Sequence, residues 1–143
     1  MFEVYSFGNI ANPIIQIQLL EAEPPRSALI DTGASSCILP YKVGLEIGLR
    51  PRDDRDTVEK IRNVDCVQRD LVVGIIGRDQ THPMVIPFMW AQEHEQVTWD
   101  LILLGTKGFL EQVHLWYWYP KFFVLFDDAG LPQLRRAMMA LVQ

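Results

Sequence analysis

Residues 28 to 40 read Ala-Leu-Ile-Asp-Thr-Gly-Ala-Ser-Ser-Cys-Ile-Leu-Pro, a short apolar strand that ends in Asp31-Thr32-Gly33 and leaves through a second apolar run that Pro40 stops. A carboxylate where a buried strand ends is costly to desolvate unless hydrogen bonds surround it, so Asp31 needs either a satisfied structural role or a chemical one. The neighbours favour chemistry. Thr32 brings a hydroxyl that can bond a neighbouring chain or loop, and Gly33 removes the side chain that would keep backbone amides away from the carboxylate or from a substrate. A plain Asx-type turn capped by Thr32 and Gly33 is the structural alternative.

The 143 residues are enough for one domain, 1–143, that buries a core without staples. A net charge of −5 with no basic stripe argues against nucleic acid or an anionic membrane as the main partner, because both need a cationic face. Cys37 and Cys66 are too few for a disulfide framework or a zinc site. His82, His94 and His114 are widely spaced and match no metal motif; Glu93-His94-Glu95 could grip a metal, but a lone His is far more often a surface or core residue than a ligand, so no metal and no cofactor are expected. Ser35-Ser36 lacks a nucleophile elbow, and no glycine loop cradles phosphate. The opening Met-Phe-Glu-Val-Tyr-Ser-Phe-Gly has neither a basic nor an apolar leader region, and Pro120-Lys121 break the longest apolar run. A cytoplasmic location is the default expectation.

Period-two alternation predicts strands over Phe2 to Phe7 and Ile14 to Leu20, the latter with Ile15, Ile17 and Leu19 on one face. Pro24-Pro25 turns the chain into the strand that delivers Asp31, and Pro40 opens a short helical turn that ends at Gly48. Thr57 to Trp90 reads as further strands: Leu71 to Ile76 apolar enough for both faces to be covered, Gly77 to Gln80 a hairpin turn, and Pro87 demoting its strand towards an edge or bulge. A polar loop follows over residues 91 to 98, and Trp99-Asp100 leads into Leu101-Ile102-Leu103-Leu104-Gly105, which must thread the centre of the fold. Gly108 to Val113 suits a short helix and Leu131 to Val142 a closing one, with Leu134, Met138 and Leu141 on one stripe. Leu115 to Phe126, rich in aromatic residues, fits either an interface or two core strands joined at Pro120.

Asp31-Thr32-Gly33-Ala34 together with Leu103-Leu104-Gly105 resembles the retropepsin-like aspartic proteases, single-domain enzymes related to retroviral proteases, over roughly residues 13 to 126. The resemblance implies a mainly β fold: a closed six-stranded acid protease barrel with a short helix after the Leu-Leu-Gly strand and a C-terminal helix. It implies an aspartic endopeptidase in which Asp31 of one subunit meets Asp31 of its twin in a homodimer. Thr32, Gly33 and Ala34 then support the active site. A polypeptide substrate lies extended beneath a flap whose tip falls within Arg62 to Gln68. Leu29, Ser35, Ile38, Val64, Asp65, Cys66, Val67 and Leu103 are the candidate substrate-binding residues, and their apolar majority predicts apolar side chains beside the cut.

Three positions depart from the retroviral pattern. Ser35 stands where many of those enzymes carry an Asp that binds substrate backbone, Thr106-Lys107 replaces an Arg after the Leu-Leu-Gly block, and the flap is not glycine-rich. Lys cannot make the bidentate ion pair that Arg makes, so a weaker dimer or substrate grip is the expectation. The alternative function is a non-catalytic peptide-binding or dimerisation module on the same fold.

Overall fold

The computed structural model describes residues 1–7, 12–92 and 101–142. The first strands follow the alternation: β1 (Phe2–Ser6), β2 (Ile14–Gln18) and β3 (Arg26–Ile30). Ile15, Ile17 and Leu19 are buried while Gln16 faces solvent, as period-two geometry requires. After the Asp31 turn come β4 (Cys37–Leu39) and helix α1 (Tyr41–Glu46), then β5 (Val58–Ile61), β6 (Val64–Ile76), β7 (Thr81–Ala91) and β8 (Ile102–Leu104). A hairpin of β9 (His114–Trp118) and β10 (Phe122–Phe126) leads through a 3-10 turn at Asp128–Gly130 into α2 (Leu131–Leu141).

Strand pairing runs β2-β3-β8-β4-β7-β6, and β2 pairs again with β6 through Ile17–Ile75 and Gln18–Gly74, so six strands close into a barrel and β5 extends beyond it. Closure removes the open edges that an isolated sheet exposes. Ile17, Ile75, Ile86, Phe88, Ile102 and Leu104 fill the interior and are almost wholly shielded from solvent. β10 lies between β1 and β9 in a separate three-stranded sheet, whose Phe123 and Leu125 join the same core. The Trp90 indole donates to the Tyr41 carbonyl at 3.1 Å and occupies the space a Cβ at Gly44 would need. That contact explains a glycine inside α1 despite its cost of about 1 kcal/mol in a helix.

Several expectations need correcting. Gly108 to Val113 forms successive turns instead of a short regular helix. The Leu110 and Glu111 amides reach back five residues to Gly105 and Thr106, and Val113 N–H to Phe109 O is the α-type closure. Leu71 to Ile76 is not covered on both faces: Val72 and its cross-strand partner Val85 are exposed, because this part of the β6–β7 ribbon extends past β4. Pro87 does not place β7 at an edge. It sits one residue before the stretch Phe88–Trp90 that β4 pairs, so its missing N–H removes no bond from that ladder. The aromatic run divides between its two readings: β10 is buried, whereas Tyr117, Trp118 and Tyr119 on the β9 side are exposed. In α2 Leu134 is buried while Met138 and Leu141 remain largely exposed, so the expected apolar stripe is seated at its first turn and open towards its end. Glu93, His94, Glu95, Trp99-Asp100 and most of the polar loop lie outside the described residues. Among the described residues no helix is long and apolar enough to cross a membrane.

Candidate active site

β8 lies between β3 and β4, parallel to the first and antiparallel to the second, so the strand that enters the Asp31 turn and the strand that leaves it flank the Leu-Leu-Gly strand. The Asp31 amide donates to the Leu104 carbonyl at 2.9 Å, and the Ala34 amide closes the turn onto the Asp31 carbonyl at 3.1 Å. On the far side the Thr106 amide donates to Ala34 O at 2.9 Å and the Lys107 amide to Ser35 O at 3.0 Å. The turn is thereby stitched to β8 and its continuation on both sides of the acid.

Two small features make this interlock possible. A Cβ at Gly105 would stand 2.3 Å from the Ser36 carbonyl oxygen and 2.7 Å from that of Ala34, so only glycine lets the segments approach. The buried Cys37 Sγ accepts from the Gly105 amide at 3.3 Å and lies 3.4 Å from the Lys107 carbonyl. Burial pushes the Cys37 thiol up to about 11, which keeps it protonated and structural. Burial likewise raises Cys66 to about 11.

Asp31 itself is half-buried, and its Oδ1 accepts the Gly33 amide at 3.0 Å. Thr32 and Gly33 are exposed, and no hydrogen bond to the Thr32 hydroxyl is found among the described residues. A carboxylate held by backbone at one oxygen and open at the other can bind water or exchange a proton. Burial raises the pKa of the Tyr117 phenol, and the Asp31 charge adds to that rise.

Above the turn stands the β5–β6 hairpin. Its register, Ile61 opposite Val64, leaves a two-residue loop of Arg62 and Asn63 with φ of 50° and 65°. Paired left-handed residues give the type I′ geometry that matches strand twist, and Asn tolerates it well. The tip is therefore narrower than the range Arg62 to Gln68, because Val64 to Gln68 already belong to β6. A cavity of about 340 Å³ opens between this tip and the turn, bounded by Gly33, Ser35, Ile38 and Leu103 below and by Lys60 and Arg62 above. At the hairpin's base Asp56 accepts both guanidinium nitrogens of Arg69, at 2.8 and 3.0 Å, and pairs with Arg50 at 2.9 Å. Arg69 first, then Arg50, holds the Asp56 carboxyl well below the usual range.

Of the residues expected to bind substrate, Ser35, Ile38 and Leu103 line this cavity together with Gly33 and Ala34. Val64 and Cys66 pack behind its floor in a cluster with Ile38 and Leu103, against which Leu29 is partly buried. Val67 points into the main core, and Asp65 pairs with Lys60 at 3.3 Å and Arg52 at 3.7 Å. Lys60 and Tyr117 were not foreseen. A charged residue beside a strand looks solvated in sequence, and only the fold brings Lys60 over the turn or β9 past the acid. Among the described residues no three His, Cys, Asp or Glu side chains cluster as a metal site.

Compared with solved structures, the chain matches the crystal structure of a retropepsin-like aspartic protease from Rickettsia conorii, with a TM-score of 0.60 over 87% of this chain and 90% of that one. The fold is retropepsin-like. Sequence identity in that match is 12%, so the likeness speaks for the fold alone. No protein-family model matches the chain, and no curated protein matches it significantly.

Proposed function

We propose that this protein is an aspartic endopeptidase that works as a homodimer, with one Asp31 from each subunit forming the catalytic pair. The observation that carries the reading is the position of Asp31: half-buried, fixed by β8, followed by exposed Thr32 and Gly33, in a turn whose Gly33 to Ser36 side lines an open cavity under the hairpin tip. Peptide hydrolysis by carboxylates needs one ionised group to take a proton from water and one protonated group to polarise the carbonyl and later protonate the leaving amine. A single acid cannot hold both states. Two carboxylates about 3 Å apart cannot both ionise, so the pair shares one proton and titrates in two separated steps. A two-fold axis through the turn supplies the second acid from an identical chain. The exposed Thr32 hydroxyl, which has no hydrogen bond among the described residues, can bond across that axis, and an extended peptide adds beneath the flap as a further strand.

Replacing Asp31 with Asn removes the shared proton with little change of volume. Cleavage of denatured protein should fall to background while the circular dichroism and the oligomeric state stay those of the parent. Hydrolysis surviving in Asp31→Asn would remove the reading. One observation favours the second reading, a peptide-binding or dimerisation module without turnover: Arg52–Asp65 ties the hairpin to the loop before it and Arg69–Asp56 ties its base, which opposes the opening that substrate exchange requires. Peptide retention without cleavage would select that reading.

A further inference from the structure

The three-stranded sheet β1-β10-β9 is apolar on both sides, although only one side meets the barrel. Phe123 and Leu125 of the inner side join the main core, whereas on the outer side Val4, Val124 and Trp116 lie abreast, with Phe122 beside Trp118. α2 covers that outer side only in part. It runs back along the sheet from the buried Leu134 to Ala140 and Leu141, which face Trp116 and Phe122 across a cleft of about 320 Å³ that no polar side chain lines. At the same end of the molecule Trp118, stacked on Phe122, is exposed, and in the last turn of α2 Met139 is 58% and Val142 79% exposed. A continuous apolar end of this kind marks a docking surface.

Charge around this end narrows what can cover it. Lys121 in the hairpin turn and Arg135 and Arg136 on α2 are exposed, and among the described residues none of the three has an ion pair or a side-chain hydrogen bond. The acids of the same unit are all engaged. Glu3 is buried against His82 and the Arg78 amide, Asp127 holds the N-terminal ammonium and the Gly130 amide, and Asp128 bonds His114 at 3.1 Å. Glu111, beside the Asp127–Asp128 turn, accepts the Gly108 amide. Asp127 and Asp128 also precede α2, about 16 Å of helix away from its apolar end. The formal charges of Lys121, Arg135 and Arg136 cancel those of Glu3, Asp127 and Asp128, so the net −5 that argues against an anionic surface belongs to the rest of the chain.

A folded partner presents one complementary face with roughly one hydrogen bond per 100–200 Å². The cleft offers no side-chain partner for such bonds, and Met139 and Leu141 point about 160° apart around the helix, so a single docking face cannot take both. Fluid hydrocarbon surrounds such an end without needing shape or direction. Trp is at home at the boundary between headgroups and acyl chains, and Arg135 lies about one turn behind Met139, which sets its guanidinium at headgroup level when the methionine is immersed. Long cationic side chains then lay their stems on the apolar surface and reach phosphate with their tips. We propose that the end of the molecule formed by Trp118, Lys121 and the last turns of α2 docks on the surface of an anionic phospholipid bilayer without crossing it. Asp31 takes no part in this contact, and the opposite side of the β9–β10 hairpin, where Tyr117 and Tyr119 pack on Phe7, stays open to a second chain.

Flotation tests this on vesicles of phosphatidylcholine alone and of phosphatidylcholine with roughly one-third phosphatidylserine. The parent and Asp31→Asn are expected to float alike with the anionic vesicles, less so as salt is raised. Arg135→Gln/Arg136→Gln should bind about twentyfold more weakly, at about fivefold per charge, and Met139→Glu/Val142→Glu should not bind. All four side chains are exposed, so both double variants keep the parent's circular dichroism. Lipid brominated on its acyl chains should quench the tryptophan fluorescence of the bound parent, and quench that of Trp118→Phe less. No flotation, equal flotation on both vesicles, parental flotation of either double variant, or binding without quenching at Trp118 overturns the proposal. If vesicles are ignored while the same variants abolish a self-association seen by sedimentation, the end is a protein interface and the lipid assignment falls.

Discussion

Substituting Gly105 by alanine tests whether the interlock between β8 and the Asp31 turn holds the site together. The added methyl would stand 2.3 Å from Ser36 O and 2.7 Å from Ala34 O, both backbone atoms that no rotamer change can move aside. Relief requires the end of β8 to withdraw from residues 34 to 36. Three hydrogen bonds span that gap: Thr106 N–H to Ala34 O, Lys107 N–H to Ser35 O, and Gly105 N–H to Cys37 Sγ. At about 1 kcal/mol each, with roughly 1–3 kcal/mol of overpacking strain, the loss is about 4–6 kcal/mol, a large share of the roughly 5–15 kcal/mol that holds a domain folded. Urea unfolding followed by tryptophan fluorescence reads it as a large fall in midpoint at unchanged slope. Gly33→Ala is the control, because its methyl would meet Asp31 Oδ1 at 3.3 Å, a contact a small carboxylate rotation relieves. It should cost under about 1 kcal/mol. If Gly105→Ala unfolds within about 1 kcal/mol of the parent, the two segments are not locked as described and the reasoning fails.

Acid should loosen the flap base before the barrel. The Asp56 carboxyl is depressed in the folded chain by Arg69 and then Arg50, so its stabilisation is fully present above the unfolded carboxylate value of about 3.9 and is lost as pH falls through the folded value. Urea midpoints measured from about pH 5 down to pH 2 should therefore decline in the parent and decline less in Asp56→Asn; parallel curves would contradict the assignment. Both cysteines should resist iodoacetamide at neutral pH in the native state, since burial raises each thiol to about 11, and both should alkylate after unfolding. Intact mass before and after urea checks this, and native labelling of Cys37 would refute its place between Gly105 and Lys107.

Much of the barrel was legible because its signals are local. The alternation in Ile14 to Leu20, the apolar strand ahead of Asp31, the Pro40 start and Gly48 stop of α1, and the Gly77 to Gln80 turn all act within a few residues, and each appears where expected. What failed depended on distant neighbours. Whether Val72 is covered is decided by how far β4 reaches along β7, and whether Pro87 is tolerated is decided by where that pairing starts. Gly108 to Val113 has a helix-compatible pattern, yet the carbonyls of Gly105 and Thr106 are claimed at a spacing that does not propagate a regular helix. In the site, Asp31 and its turn were legible from residue type alone. The division of Val64, Cys66 and Val67 between a supporting cluster and the main core was not, because alternation tells which residues share a face and not what that face meets.

The two functional readings use the same half-site and differ in one physical quantity, the separation of two identical acids. Within one chain, the Asp31 carboxylate is bonded by Gly33 N–H, and among the described residues no second carboxylate hydrogen-bonds to it. A lone carboxylate cannot act as general base and general acid at once, because a proton shared between carboxylates requires both at contact distance and partly shielded from water. Tyr117 and Tyr119, both exposed and packed on Phe7, are on one face of the β9–β10 hairpin, and the Asp31 charge reaches Tyr117; Trp118 is on the opposite face with Trp116 and Phe122. An identical chain whose approach also covered Tyr117 and Tyr119 would gain apolar burial as the acids lost water. In the proposed homodimer, assembly and acidity would be coupled. What draws two such copies together would also let one proton serve two carboxylates, whereas a complex that keeps the two turns apart would leave each Asp31 without a second acid to share a proton with.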